Sequence, residues 1–408
     1  MGCDKNRLDT ETMLAILSAG GYEITADAQQ ADVIIVNTCA FLQSARQEAI
    51  DTVLEMAHLK ENGACKKIII TGCLGQKYGK EVLESLTEAD AVVGTNEYQN
   101  ICQIVENTLY GQRKLYNDSN PCMTLSQRVL TTPKHYAYLK IADGCNNFCS
   151  YCLIPHIRGR FRSVPMEQLV AEAKQLVEGG VGELILVAQD TTKYGADLYG
   201  QPRLTQLIQA LSAIDGLHWI RLLYCYPELC DEQLLQEIER NPKVAKYIDI
   251  PLQHVDNGIL KAMNRKSTAE GVDKLFARIN SSQPKIEARS TFICGFPGET
   301  PDTVAEMQAF LQKYRLRNVG FFAYSKEDGT PAAKMPNQVP ERTKQKYVKQ
   351  MYQIQYKIMQ QLSKNDVGKV YECVVDQFAE QNGAEYVYQG RTQFMAPDID
   401  GAINCVRP

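Results

Sequence analysis

The sequence has no window approaching eighteen consecutive apolar residues, so nothing in it reads as a membrane-spanning helix. Its start, MGCDKNRLDTE, lacks the apolar core of a secretion signal. Positive charge is not in excess either. The net charge of −4 argues against a whole-protein nucleic-acid binder, although a local basic groove fits inside an acidic total. Repeat periods and low-complexity tracts are missing, which sets aside solenoids and disordered tails. The 408 residues, 44% hydrophobic and 23% charged, describe an ordinary globular chain with room for two or three cores and an expected cytosolic location. Cysteine is what the chain has in quantity. Fourteen of them in a reducing compartment need a reason other than disulfides.

The first 110 or so residues alternate strand and helix patterns. The runs ADVIIVNTC (31–39), KKIIITGC (66–73) and ADAVVGTN (89–96) read as buried strands, with a helix over Ser44–Lys60 between the first two. That order predicts a small parallel α/β sheet over residues 1–110. Residues 111–134 are polar and pattern-poor and read as a linker. Beyond it six strand candidates recur: His135–Ile141, Glu183–Ala188, Trp219–Tyr224, Lys246–Ile250, Arg289–Cys294 and Asn318–Tyr324. Helical patterns such as Met166–Glu178 and Thr300–Tyr314 lie between them, and a long helix from Pro340 to about Ser363 closes the region. Six strand–helix units over 135–365 predict a partial α/β barrel, whose chemistry belongs at the C-terminal ends of its strands. Residues 366–408 alternate over Lys369–Asp376 and Glu385–Gln389, as strands of a small, incomplete antiparallel β-barrel would.

DGCNNFCSYC (143–152) follows the first barrel strand and spaces Cys145, Cys149 and Cys152 as C-x3-C-x2-C. Zinc in a structural site takes four ligands, usually as two separated pairs. Here a fourth would have to be His156, on the same loop just past Pro155. A redox pair of Cys149 and Cys152 leaves Cys145 unexplained. A 4Fe-4S cubane held by three thiolates has one open iron, able to hold a substrate or cofactor and pass it an electron. Gly144 and the small Ser150 allow a tight loop around it. Cys39 and Cys73 each end a parallel strand, and Cys3 stands where another would end, so the three thiols converge on one sheet edge or are simply buried small hydrophobes.

C-x3-C-x2-C after the first strand of a partial barrel resembles the radical S-adenosylmethionine superfamily. The resemblance implies that S-adenosylmethionine chelates the open iron and is cleaved by one electron to a radical that abstracts hydrogen from unactivated C–H bonds. With the GC, NTC and TGC cysteines ahead of it and a small β module called TRAM behind, essentially the whole chain resembles the methylthiotransferases. That resemblance implies a second 4Fe-4S cluster on Cys3, Cys39 and Cys73, which donates sulfur, and two molecules of S-adenosylmethionine per product. The family has an apolar strand before the first cysteine and a fuller TRAM module. Here the chain opens at MGCDKN and ends at NCVRP, so a partial TRAM is expected to weaken substrate capture more than radical chemistry.

Several stretches are similar to the branch that modifies the β-carbon of an aspartate in small-subunit ribosomal protein twelve. They are YCLIPHIRGRFRS (151–163), LILVAQDTTKYGADLYG (184–200), LLYCYPE (222–228), YIDIPLQHVDNGILKAMNR (247–265) and TFICGFPGET (291–300). The other branch modifies adenosine in transfer RNA and more often shows a GQNVN-like run where AQDTT stands. Charge agrees: residues 367–408 hold Lys369, Arg391 and Arg407 against six carboxylates, a net of −3, which suits a basic protein better than RNA. The basic run Arg158, Arg160, Arg162 is the feature that favours RNA. Expected partners are the ribosomal protein, a low-potential electron donor such as flavodoxin and a sulfur donor, with no membrane. Gln189 and Asp190 after the second barrel strand, Glu183 at its start, Arg221 on the third strand and Gly295 with Glu299 in GFPGE are the candidate cofactor contacts. His254 reads as a positioned hydrogen-bonding residue, and Cys225, Cys230, Cys294 and Cys373 have no evident partners. The competing class is a non-enzymatic metal scaffold, colourless and zinc-bound where the enzyme would be brown and oxygen-sensitive.

Overall fold

The structure, a computed structural model, describes residues 2–40, 43–118, 128–383 and 385–407. Three sheets organise it. The first is parallel throughout, with strands β1 (Val33–Thr38), β2 (Lys67–Gly72), β3 (Ala91–Val93) and β4 (Lys114–Tyr116) in that order. The first three are the strands expected from their apolar runs. β4 is not: it lies in the segment read as linker, where KLY is too short to carry a pattern and gains its ladder from β3. Part of that segment falls outside the described residues.

The second sheet holds β5 (Tyr136–Lys140), β8 (Glu183–Val187), β9 (Trp219–Leu222), β10 (Val244–Asp249), β11 (Glu287–Cys294) and β12 (Asn318–Ala323). Its order, β12-β11-β10-β9-β8-β5, follows the chain and every pair is parallel, which makes it the six-stranded partial barrel expected. A small hairpin, β6 (Ala142–Asp143) with β7 (Arg162–Ser163), brackets the cysteine loop. Alternation along the strands sorts their side chains. Leu139, Leu184, Leu186, Ile220 and Leu222 pack outward under the helices, whereas Tyr136, Tyr138, Ile185, Val187 and Tyr247 fill the interior.

The third sheet is antiparallel: β13 (Cys373–Asn382), β14 (Glu385–Thr392) and β15 (Ile403–Arg407). β15 was not read from the sequence; it pairs with β14 from Tyr386↔Arg407 to Gly390↔Ile403.

Both end modules enter the barrel. The first helix, Asp4–Ala19, puts Leu8 among the interior tyrosines and Met13 and Leu17 into the N-terminal core. Ala396, from the turn before β15, enters the same interior cluster. Among the described residues no helix is long and apolar enough to cross a membrane.

Candidate metal centres

The cysteine loop leaves the end of β5 and is tied down on all sides. Gly144 has φ +78°, and a Cβ there would lie 2.1 Å from the carbonyl oxygen of Arg160, so the turn admits only glycine. The Cys145 amide donates to Gly159 O at 3.1 Å. Ser150 donates to Met263 O and Ala262 O at 2.9 and 2.8 Å and accepts from the Ala332 amide at 2.8 Å. The Asn264 amide side chain donates to Phe148 O at 2.8 Å.

These ties hold three free thiols in one electrostatic neighbourhood. Cys145 and Cys149 are buried and Cys152 is half-buried. Burial, and then the neighbouring thiols, push Cys145 up to about 11 and Cys152 up to about 12, although backbone N–H groups pull the other way. Thiols this reluctant to ionise alone become thiolates when a metal takes the proton's place. A single ion needs donors drawn to one point. Among the described residues no three His, Cys, Asp or Glu side chains stand so close, and His156 is exposed. A cubane is gripped at separate corners, and three thiolates leave it one open iron.

The second set assembles on the edge of the first sheet. Thr38 of β1 lies beside Gly72 of β2, so Cys39 and Cys73 leave the sheet together. Cys3 caps the first helix, which Asn6 pins over β1 by donating to Thr38 O at 3.0 Å. Cys73 is pushed up to about 12, first by burial and further by Cys3 and Cys39, against the opposing pull of Arg158. The three thiols therefore share one neighbourhood.

Arg158 joins the two sets. It ends the short helix Ile154–Arg158 that follows Cys152, and Leu153 and Ile157 beside it are buried in the N-terminal core. Its guanidinium reaches Asp9 at 2.7 Å, Asp143 at 3.1 Å and Cys73 Sγ at 3.9 Å. Lys140 completes the group, 2.7 Å from Asp9 and 3.8 Å from Asp143. Burial opposes the Asp143 carboxylate, but Arg158 and Lys140 hold its pKa well below the usual range. Asp143 in turn accepts from the Gly144 amide at 2.8 Å and Gln189 Nε2 at 2.9 Å. One buried charge network thus runs from Cys73 to the turn before Cys145. The sequence reading had Arg158, Arg160 and Arg162 as one basic run; the structure separates them, because Arg158 is sealed between carboxylates while Arg160 is exposed.

The other candidates divide. Asp190 is buried beside the loop, accepting from Asn147 Nδ2 at 2.8 Å and Thr192 Oγ1 at 2.6 Å. Gln189 Oε1 and Thr191 Oγ1, on either side of it, are buried without a partner among the described residues, as groups awaiting a polar ligand would be. Glu183 and Arg221 do not join them. They pair with each other at 2.6 Å, Glu183 from the start of β8 and Arg221 from within β9. Arg391 of β14 lies 2.9 Å from Glu183, and Gln393 O accepts from Arg221 at 2.7 Å. These contacts tie the pair to the C-terminal sheet.

Gly295 and Glu299 contact each other. The Gly295 amide donates to Glu299 Oε1 at 2.7 Å, and a Cβ at Gly295 would lie 2.2 Å from Lys344 Cγ. The close approach there is to the helix Glu341–Asp366, which is what the glycine is needed for. His254 is fully buried and its Nδ1 accepts from the Asp256 amide at 2.9 Å, while its Nε2 lies 3.4 Å from Glu299 Oε2.

Two residues went unread. Tyr226 places its hydroxyl 3.8 Å from Cys149 Sγ, and the Arg265 guanidinium stacks 4.1 Å above the Tyr226 ring. Neither carries a spacing that sequence alone marks. Thiols taken as partnerless also have neighbours: Cys373 Sγ is 3.5 Å from Cys405 Sγ, and Cys230 Sγ, beside Cys225, donates to Tyr226 O at 3.3 Å.

A three-thiol loop at the C-terminal end of a six-stranded parallel barrel defines the class: a radical S-adenosylmethionine enzyme, here with a second thiol set. The comparisons agree. The Radical SAM superfamily model matches residues 139–311, and the model described as Uncharacterized protein family UPF0004 matches residues 1–94. Among solved structures, the radical S-adenosylmethionine methyltransferase TsrM from Kitasatospora setae superposes with a TM-score of 0.58 at 13% identity, over 79% of this chain and 70% of that one, a likeness of fold. Proteins named ribosomal protein uS12 methylthiotransferase RimO are similar over 99% of the chain. That of Clostridium tetani is 46% identical, with 90% of it covered, and that of Desulforamulus reducens 44%, with 91% covered. The chain belongs to this methylthiotransferase family and is a radical S-adenosylmethionine-dependent enzyme.

Proposed function

We propose that the enzyme attaches a methylthio group to the β-carbon of an aspartate in ribosomal protein uS12, in the cytoplasm. Cys145, Cys149 and Cys152 would hold a 4Fe-4S cluster with S-adenosylmethionine, and Cys3, Cys39 and Cys73 a second cluster that carries the sulfur. The observation that carries this reading is the pair of three-thiol sets, brought together through Arg158. An aspartate β-carbon gives up hydrogen only to a radical, which the cluster and S-adenosylmethionine supply when bound.

The chain's own residues have the remaining tasks. Gln189, Asp190 and Thr191 offer acceptors to the ammonium and hydroxyl groups of the cofactor. The Ser150 anchors fix the loop against the barrel, and Arg158 fixes the second thiol set against the first, so that orientation is set before substrate arrives. A low-potential donor such as flavodoxin and a separate sulfur source complete the reaction.

Mass spectrometry of purified uS12 and of transfer RNA, each incubated anaerobically with reconstituted enzyme, tests the substrate. The methylthio mass is expected on the uS12 aspartate alone, and modification of RNA alone would overturn the reading. Alanine at Cys145, Cys149 or Cys152 is expected to abolish methionine and 5′-deoxyadenosine formation. Alanine at Cys39 or Cys73 is expected to leave that cleavage running without product.

A further inference from the structure

The barrel mouth is rich in cations, and acceptors already hold most of them. Arg158 and Lys140 share Asp9 and Asp143, Lys193 reaches Asp190, and Arg289 pairs with Asp249 at 2.8 Å. Lys5 differs. It is only 6% exposed and stands in the first turn of the Asp4–Ala19 helix, where the helix dipole disfavours a cation. Among the described residues its ammonium meets Asp4 Oδ1 at 3.3 Å and the Tyr224 ring face at 2.8 Å from the centroid. An ammonium has three N–H donors, and a longer-than-ideal ion pair with a ring face leaves donors unused. Asp4 is no better matched: Oδ1 also accepts from the Tyr224 hydroxyl at 3.1 Å, and Oδ2 is buried without a partner. Leaving buried polar groups unmet is costly, so Asp4 Oδ2 calls for a donor, while the Lys5 ammonium is suited to receiving a further acceptor.

Its position says which. Cys3 is two residues away and close enough to contribute to the raised pKa of Tyr224. Tyr224 O accepts from the Thr191 amide at 3.1 Å, next to Asp190, and Tyr226 two residues on reaches Cys149. Tyr224 itself is held at φ +59°, a conformation that a non-glycine residue adopts only when its surroundings impose it. The Tyr224 ring that Lys5 faces therefore links it to Cys3 on one side and, through Thr191 and Tyr226, to the surroundings of the Cys145 set on the other.

We propose that Lys5 binds the carboxylate of the substrate aspartate and so selects an acidic side chain at the reacting position; this rests on the aspartate reading above. Titration calorimetry of the anaerobic holoenzyme with two uS12 peptides, one carrying aspartate at the modified position and one asparagine, tests it. Wild type is expected to prefer the aspartate peptide. Lys5→Met is expected to weaken that peptide about 10- to 100-fold, the range of a lost charged hydrogen bond, and to leave the asparagine peptide nearly unchanged. Lys5→Arg keeps the charge and is expected to keep the preference even if Lys5→Met folds poorly. Equal losses for both peptides, or no loss, would overturn the role of Lys5 and leave the substrate reading standing. Binding of neither peptide by wild type would remove the substrate reading and this proposal with it.

Discussion

At the scale of single residues the account turns on groups whose burial makes sense only with their partners. Arg158 is 2% exposed and neutralises two buried carboxylates. Removing one member of such a group strands the others, at about 3–5 kcal/mol. Arg158→Met is thus expected to lower unfolding stability by about that amount in urea titration, and Arg158→Lys by less, because it keeps the charge. Gly144 is the second such residue. At φ +78° with the Arg160 carbonyl 2.1 Å from any Cβ, Gly144→Ala forces the turn to move. Reconstituted Gly144→Ala protein is expected to lose iron from the Cys145 loop. Full iron with unchanged cofactor cleavage would show that the turn tolerates the shift.

At the scale of elements, apolar runs such as VIIVNT and KIIITG announce buried parallel strands because both faces of each are covered. Met166–Glu178 was legible to its ends from helical spacing, stopped by Gly179. β4 and β15 were not, since three or five residues gain their ladder from a neighbour the sequence does not name. The cysteines were readable by spacing and by their position after strands. Glu183 and Arg221 carry no such mark, because a buried ion pair looks the same in sequence whether it faces a cofactor or a neighbouring module. That pair with Arg391 yields a pH prediction. Burial alone would raise the Glu183 pKa, but Arg221 and Arg391 reverse this and hold it below the ordinary glutamate value. The folded state therefore prefers the carboxylate. Its stabilisation is complete above the ordinary range and drains away as pH falls through the depressed value. Glu183→Gln is expected to flatten the acid limb of stability against pH in thermal melts; an unchanged limb would contradict the docking role.

At the scale of the whole molecule, three modules are built around one barrel. The first helix and the turn before β15 both reach its interior, and Leu153 and Ile157 from the barrel loop are buried in the N-terminal core. Such interlocking makes the distance between the two thiol sets a property of the fold rather than of a hinge. The central claim is that each set holds its own cluster. Iron and acid-labile sulfide counts on anaerobically reconstituted protein test it most directly, with two 4Fe-4S clusters giving about eight irons for wild type. About four are expected when Cys145, Cys149 and Cys152 are all alanine, and about four again when Cys3, Cys39 and Cys73 are. Eight irons persisting in either triple variant, or four in wild type, would contradict it.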